Sequence, residues 1–246
     1  MQSIYIWMMI SIGLGGIGFL ISFTRALKER RKVLDSLPGE TAESILEDKK
    51  SPREELSGVT LVFAFVAVPA FIYTVLGSIL VGVFGVTTEA QARVAAGALM
   101  ALGLSSFFAN VGRSRIYEET MNGLNEWDEG SQKDFGRYMI FLVLYENPVI
   151  FGLLICLFGI IFGGLMGGDI GLTMQTADEY VKGALIMGFS TASALLMSWM
   201  FNRVEGPLNE DIGLFQKKLI FMEITHTPMV IGLLIAVLMM IFSGMM

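Results

Sequence analysis

Apolar residues fall along this chain in six long runs, at residues 4–23, 59–84, 94–111, 138–166, 181–201 and 219–242, with polar stretches between them. Crossing the hydrocarbon core of a bilayer takes about 20 apolar residues in a helix. The pattern therefore predicts an all-α membrane protein with six transmembrane helices. The second and fourth runs exceed the core thickness, so they are expected to tilt or protrude. No basic residue precedes the first run, whereas Arg25, Lys28, Arg30, Arg31 and Lys32 follow it. A secretory signal has the opposite order, so this run is expected to stay as a helix.

The runs repeat with a period near 80 residues. Pro69, Pro148 and Pro228 occupy corresponding places in runs two, four and six, within FAFVAVPAFIYTVL, FLVLYENPVIFGLL and FMEITHTPMVIGLL. Residues 152–155 and 232–235 are the same four, Gly-Leu-Leu-Ile, in the second and third copies, and the first copy has diverged further. The odd runs are rich in small residues: Gly13, Gly15, Gly16 and Gly18 in the first, Gly97, Ala101, Gly103 and Ser105 in the third, Gly183, Ala184, Gly188 and Ser190 in the fifth. Such helices permit close backbone approach. The even runs carry Phe, Leu, Ile and Met instead. The expected plan is three tandem helical hairpins, 1–86, 87–168 and 169–246, each pairing a small-residue helix with a bulky one.

Charge fixes an orientation. Fifteen of the 17 Lys and Arg lie in the polar stretches after runs one, three and five, and only Arg93 and Lys182 lie on the other side. By the positive-inside rule those three long loops are cytoplasmic and both termini face outward, in the cell membrane. With 54% apolar and 16% charged residues, the chain is no ordinary soluble domain. A net charge of −6 argues against nucleic-acid binding. A single cysteine, Cys156, and a single histidine, His226, exclude an internal disulfide and multi-ligand Cys or His metal sites. No cofactor is expected.

Two carboxylates lie within apolar runs, Glu146 in the fourth and Glu223 in the sixth. An intramembrane carboxylate is costly and marks function by default. Glu146 is well inside its run, no basic residue of that run neutralises it, and Tyr145 and Asn147 flank it as candidate hydrogen-bonding partners. A purely structural bond from Glu146 to a neighbouring helix is the bland alternative.

The segment 135–159, FGRYMIFLVLYENPVIFGLLICLFG, resembles the second helix of the proteolipid, or c subunit, of archaeal- and vacuolar-type rotary ATPases. That family's pattern sets a carboxylate nine residues after a basic residue and a glycine beyond it; Arg137, Glu146 and Gly152 fall on those positions. Residues 215–238 repeat the pattern with Lys217 and Gly232 in place. The resemblance covers residues 93–246 well and 1–86 as a weak third copy. There are departures. His226 stands at the carboxylate position of the third hairpin, with Glu223 one turn earlier, and Ala67 stands there in the first. His226 is a shifted partner of Glu223, a second titrating group, or a satisfied polar residue in a lapsed site.

The resemblance implies a homo-oligomeric rotor ring, the odd helices lining the inside and the even helices the outside. Glu146 would be the main ion carrier, facing an essential arginine of an a- or I-type stator subunit, while central-stalk subunits dock on the cytoplasmic loops. The chain has no Walker-type phosphate loop, so any ATP chemistry lies in other subunits. Transported H+ is favoured over Na+, although Na+ at Glu146 stays open, because the odd runs hold no glutamine and Asn147, not a hydroxyl residue, follows the carboxylate. Two rivals remain: a repeat-built secondary transporter or channel, and a structural membrane subunit of a larger complex.

Overall fold

The computed structural model describes residues 2–36, 52–123, 137, 139–166, 171–204 and 212–246. Among these the chain is helical, with no strand. The helices are α1 (Gln2–Ser36), α2 (Pro52–Phe84), α3 (Glu89–Gly123), α4 (Asn147–Phe162), α5 (Met174–Ser190), α6 (Ser193–Arg203) and α7 (Ile212–Phe242). A further helical stretch, 139–144, leads into α4. Among the described residues, five spans are long and apolar enough to cross a membrane, Ile4–Lys28, Glu89–Ile116, Met139–Phe162, Met174–Arg203 and Gly213–Phe242, and Val68–Phe84 is an apolar segment of α2. The protein has the character of a multi-pass membrane protein. Residues 37–51, 124–136 and 205–211, the middles of the three charged loops, lie outside the described residues.

Several boundaries have clear local causes. Thr88, Glu89, Ala90 and Gln91 form a capping box at the start of α3: Thr88 Oγ1 accepts from Gln91 N at 3.2 Å, and Gln91 Oε1 accepts from Thr88 N at 3.2 Å. Gly85 has φ +73°, a conformation that an L side chain rarely adopts, and it ends α2. Thr173 caps α5 by accepting from Thr176 N at 3.1 Å. α1 and α3, at 35 residues each, are ~52 Å long at 1.5 Å per residue. They outrun a hydrocarbon core of about 30 Å, so the charged stretches after runs one and three begin as helix rather than loop.

α3 is the hub. It packs heavily on α1, on α4 and on α5, and further along on α6, while α1 and α5 hardly touch each other. α2 lies mainly on α1, and α7 lies on α5 and α6. Small residues make the hub contacts close. A methyl group at Gly18 would sit 2.9 Å from Phe107 Cα, one at Gly103 2.9 Å from Ser11 Cα, and one at Gly97 3.2 Å from Val181 Cα. The bulky helices use a repeated seat of their own. Gly152 faces Ser105, and Gly232 faces Ser190, so the second and third copies of the sequence repeat make the same contact. α1 departs from the small-residue plan by exposing Tyr5, Ile6, Met9, Ile17 and Leu20, because α3 and α2 cover only part of its surface.

Tyr180 ties α5 to α4, its hydroxyl donating to Ile155 O at 2.7 Å. Gly159 is the seat for that ring, since a methyl there would fall against the Tyr180 hydroxyl and 2.7 Å from Cζ. Overpacking of this kind costs about 1–3 kcal/mol. Gly159→Ala is expected to lower the thermal unfolding midpoint of the purified chain in detergent by more than Tyr180→Phe, which loses only the hydrogen bond. A neutral Gly159→Ala would contradict the contact.

Candidate functional site

The fourth run is not one unbroken helix. Pro148 has no N–H to return to Leu144 O, and the chain tightens just ahead of it: Tyr145 N donates to Leu142 O at 3.2 Å and Glu146 N to Val143 O at 2.9 Å. Glu146 therefore sits in a turn inside a membrane-length span, with α4 starting at Asn147. α2 and α7 run through Pro69 and Pro228 as helices. The break thus belongs to the copy that keeps the carboxylate.

The partner of Glu146 comes from α3. Arg113 Nη2 donates to Glu146 Oε1 at 2.6 Å, and Arg113 Nη1 donates to Asn110 Oδ1 at 3.4 Å. The Arg113 side chain is 0% exposed and that of Glu146 18%, so the pair is shielded from solvent screening. The charge pattern puts Arg113 in a hydrated cytoplasmic loop. The structure corrects this: α3 continues to Gly123, and Arg113 lies within the apolar span Glu89–Ile116. An ionic partner for Glu146 therefore exists within the chain, supplied by a different span.

Two more polar atoms adjoin the pair. Glu146 Oε2 and Asn110 Nδ2 are buried without a hydrogen-bond partner among the described residues. Tyr145 and Asn147, the expected partners, are not bonded to Oε2. The Tyr145 ring is fully buried against Gly112, where a methyl would fall 2.6 Å from Cε1 and 2.7 Å from Ala194 O, and its hydroxyl lies near Ser198 of α6. Asn147 is half-buried at the first turn of α4. Tyr145 thus wedges α3 against α6, while its neighbour Glu146 reaches the guanidinium.

No protein family, curated protein or solved structure matches this chain.

The second candidate pair is looser and more exposed. Glu223 Oε2 is 3.7 Å from His226 Nδ1, beyond hydrogen-bond distance. Glu223 is 55% exposed and His226 only 8%, so the carboxylate reaches the surface while the imidazole one turn on stays inside. His226 stacks flat on Phe151 of α4, the ring centroids 5.9 Å apart and the planes 1° from parallel. Ala67 lies within α2, but its side chain is outside the described set. No cluster of three or more His, Cys, Asp or Glu suited to a metal ion occurs among the described residues.

A buried cation in α7 is a further surprise. Lys218, assigned to a loop by the charge pattern, is 0% exposed, with Nζ 4.0 Å from the centroid of the Phe201 ring. Phe141 meets Phe201 edge-on at 4.9 Å and Phe215 at 5.3 Å, so the ammonium rests on an aromatic cluster that joins three spans.

Proposed function

We propose that this chain is a proteolipid of the membrane rotor of an archaeal- or vacuolar-type rotary ATPase, with Glu146 as its ion-carrying group. The observation that carries the reading is the position of Glu146. It is a carboxylate at a helix break inside an apolar span, at the one place where the tandem repeat keeps an acid in register with Pro148. Two features of the packing support it. The small-residue helices α1, α3 and α5 are consecutive neighbours, and the bulky helices make the same glycine–serine contact in the second and third copies. Three tandem hairpins, 1–86, 87–168 and 169–246, with both termini outside and the charged loops cytoplasmic, complete the reading. Further copies of the chain would then continue the row beyond α1 and α5 into a closed ring. Protons are the favoured cargo over Na+, because the odd runs hold no glutamine and Asn147, not a hydroxyl residue, follows the carboxylate.

Counting copies tests this. The intact complex, isolated in mild detergent and weighed by native mass spectrometry, is expected to hold several identical chains in a closed ring. One or two copies per complex would refute the rotor.

The Arg113–Glu146 ion pair favours one rival, a structural membrane subunit whose carboxylate only locks α3 to the α4 span. In that reading nothing is transported at Glu146.

Under the rotor reading each chain carries one ion. Glu223 is largely exposed and lies one turn nearer the basic end than the Glu146 register, about 4–5 Å along the axis. Glu223→Gln and His226→Ala are each expected to leave most ATP-driven proton uptake into vesicles intact. A loss as deep as that of Glu146→Gln would raise the count to two.

A further inference from the structure

We infer that Arg113 is a counter-ion built into the chain that holds Glu146 ionised, and that Glu146 takes up a proton only when this guanidinium releases it. The geometry carries the inference. Arg113 is fully buried in α3, its Nη2 meets Glu146 Oε1 at 2.6 Å, and Asn110, one turn earlier on α3, accepts from Nη1 at 3.4 Å. Asn110 thereby aims the guanidinium at the turn before Pro148. The contact is a single N–H to one carboxylate oxygen rather than a two-pronged fork, which leaves Oε2 buried without a partner among the described residues. Such a bond holds charge and can still be broken by moving one side chain.

Among the described residues, the charged side chains that flank Arg113 on this face are basic. Arg25 of α1 donates to Ser114 of α3 at 3.3 Å, and Arg115 is exposed on the next residue of α3. On release, a proton from water bonds to a carboxyl oxygen to give the neutral acid, and the guanidinium keeps its own protons and its charge. The ion pair stands independently of the rotor reading, and only its role as a gate to transport rests on that reading.

Carbodiimides modify protonated carboxyls in apolar surroundings, so their rate at Glu146 reports the neutral form. In membranes holding the full chain, read by mass spectrometry of the Glu146 peptide, the wild type is expected to react slowly with dicyclohexylcarbodiimide. Arg113→Gln is expected to react at least about tenfold faster, because the carboxylate loses its charged partner. Arg113→Lys, which keeps a positive charge on a shorter stem, is expected to stay near the wild-type rate. Equal rates in the wild type and Arg113→Gln would overturn the inference. A second readout needs no Arg113 variant. The infrared difference between the wild type and Glu146→Gln is expected to show an ionised carboxylate, and a protonated carbonyl band in its place would overturn the assignment. A complex with one copy of the chain would defeat the rotor reading and leave both results standing.

Discussion

Arg113→Met on its own is expected to destabilise the purified chain by about 3–5 kcal/mol, because it strands a buried carboxylate without its partner. Glu146→Gln should fall toward the lower end of that range, since its amide oxygen still accepts a bond from the arginine while the charge of Arg113 stays buried and uncompensated. The double variant Arg113→Met/Glu146→Gln should recover most of the loss, for it removes both charges and replaces the pair with groups of similar volume. Thermal unfolding midpoints in one detergent, compared across the four proteins, read the coupling directly. Additive losses in the double variant would mean that the two residues do not depend on one another. The burial decides the size of the effect: a surface ion pair contributes about 0–1 kcal/mol, whereas Arg113 has no exposed area at all.

How much of this could be read from the residues differs between fold and site. The helices were legible, because apolar runs of membrane length and the small-residue odd runs both survive as elements and as close contacts. Gly103 on Ser11 and Gly97 on Val181 are the packing that the composition of run three predicts. The Pro–Gly register also carried over, in the matched seats of Gly152 and Gly232. Arg113 was not legible from charge counting, which sorts basic residues by side of the membrane and ignores how far a helix continues. A periodicity signal was there nonetheless. Ser106, Asn110 and Arg113 fall at i, i+4 and i+7, a polar stripe on one face of an apolar helix, and all three are buried. Lys218 escaped for the same reason. It lies at the end of an apolar run, where sequence gives no depth, and only the Phe201 ring beneath it shows that its charge is inside. The opposite exposures of Glu223 and His226 depend on which helix packs where, and α4 supplies Phe151 from a different copy of the sequence repeat.

Transport separates the two readings that stability leaves joined. Glu146→Gln is expected to abolish ATP-driven proton uptake into vesicles containing the purified complex, with the chain still in the membrane, because glutamine keeps the size and a hydrogen-bonding oxygen but cannot ionise. A destabilised complex would give the same loss for a trivial reason, and the double variant removes that ambiguity. Arg113→Met/Glu146→Gln is expected to unfold near the wild-type midpoint and still transport nothing. If Glu146 only locks two spans together, restoring the packing restores the function, and the double variant should transport as the wild type does. A carrier carboxylate has no such rescue, since no amount of packing returns a group that binds and releases a proton. Full uptake by the double variant would therefore end the rotor assignment of Glu146 and leave the Arg113–Glu146 pair as a structural tie.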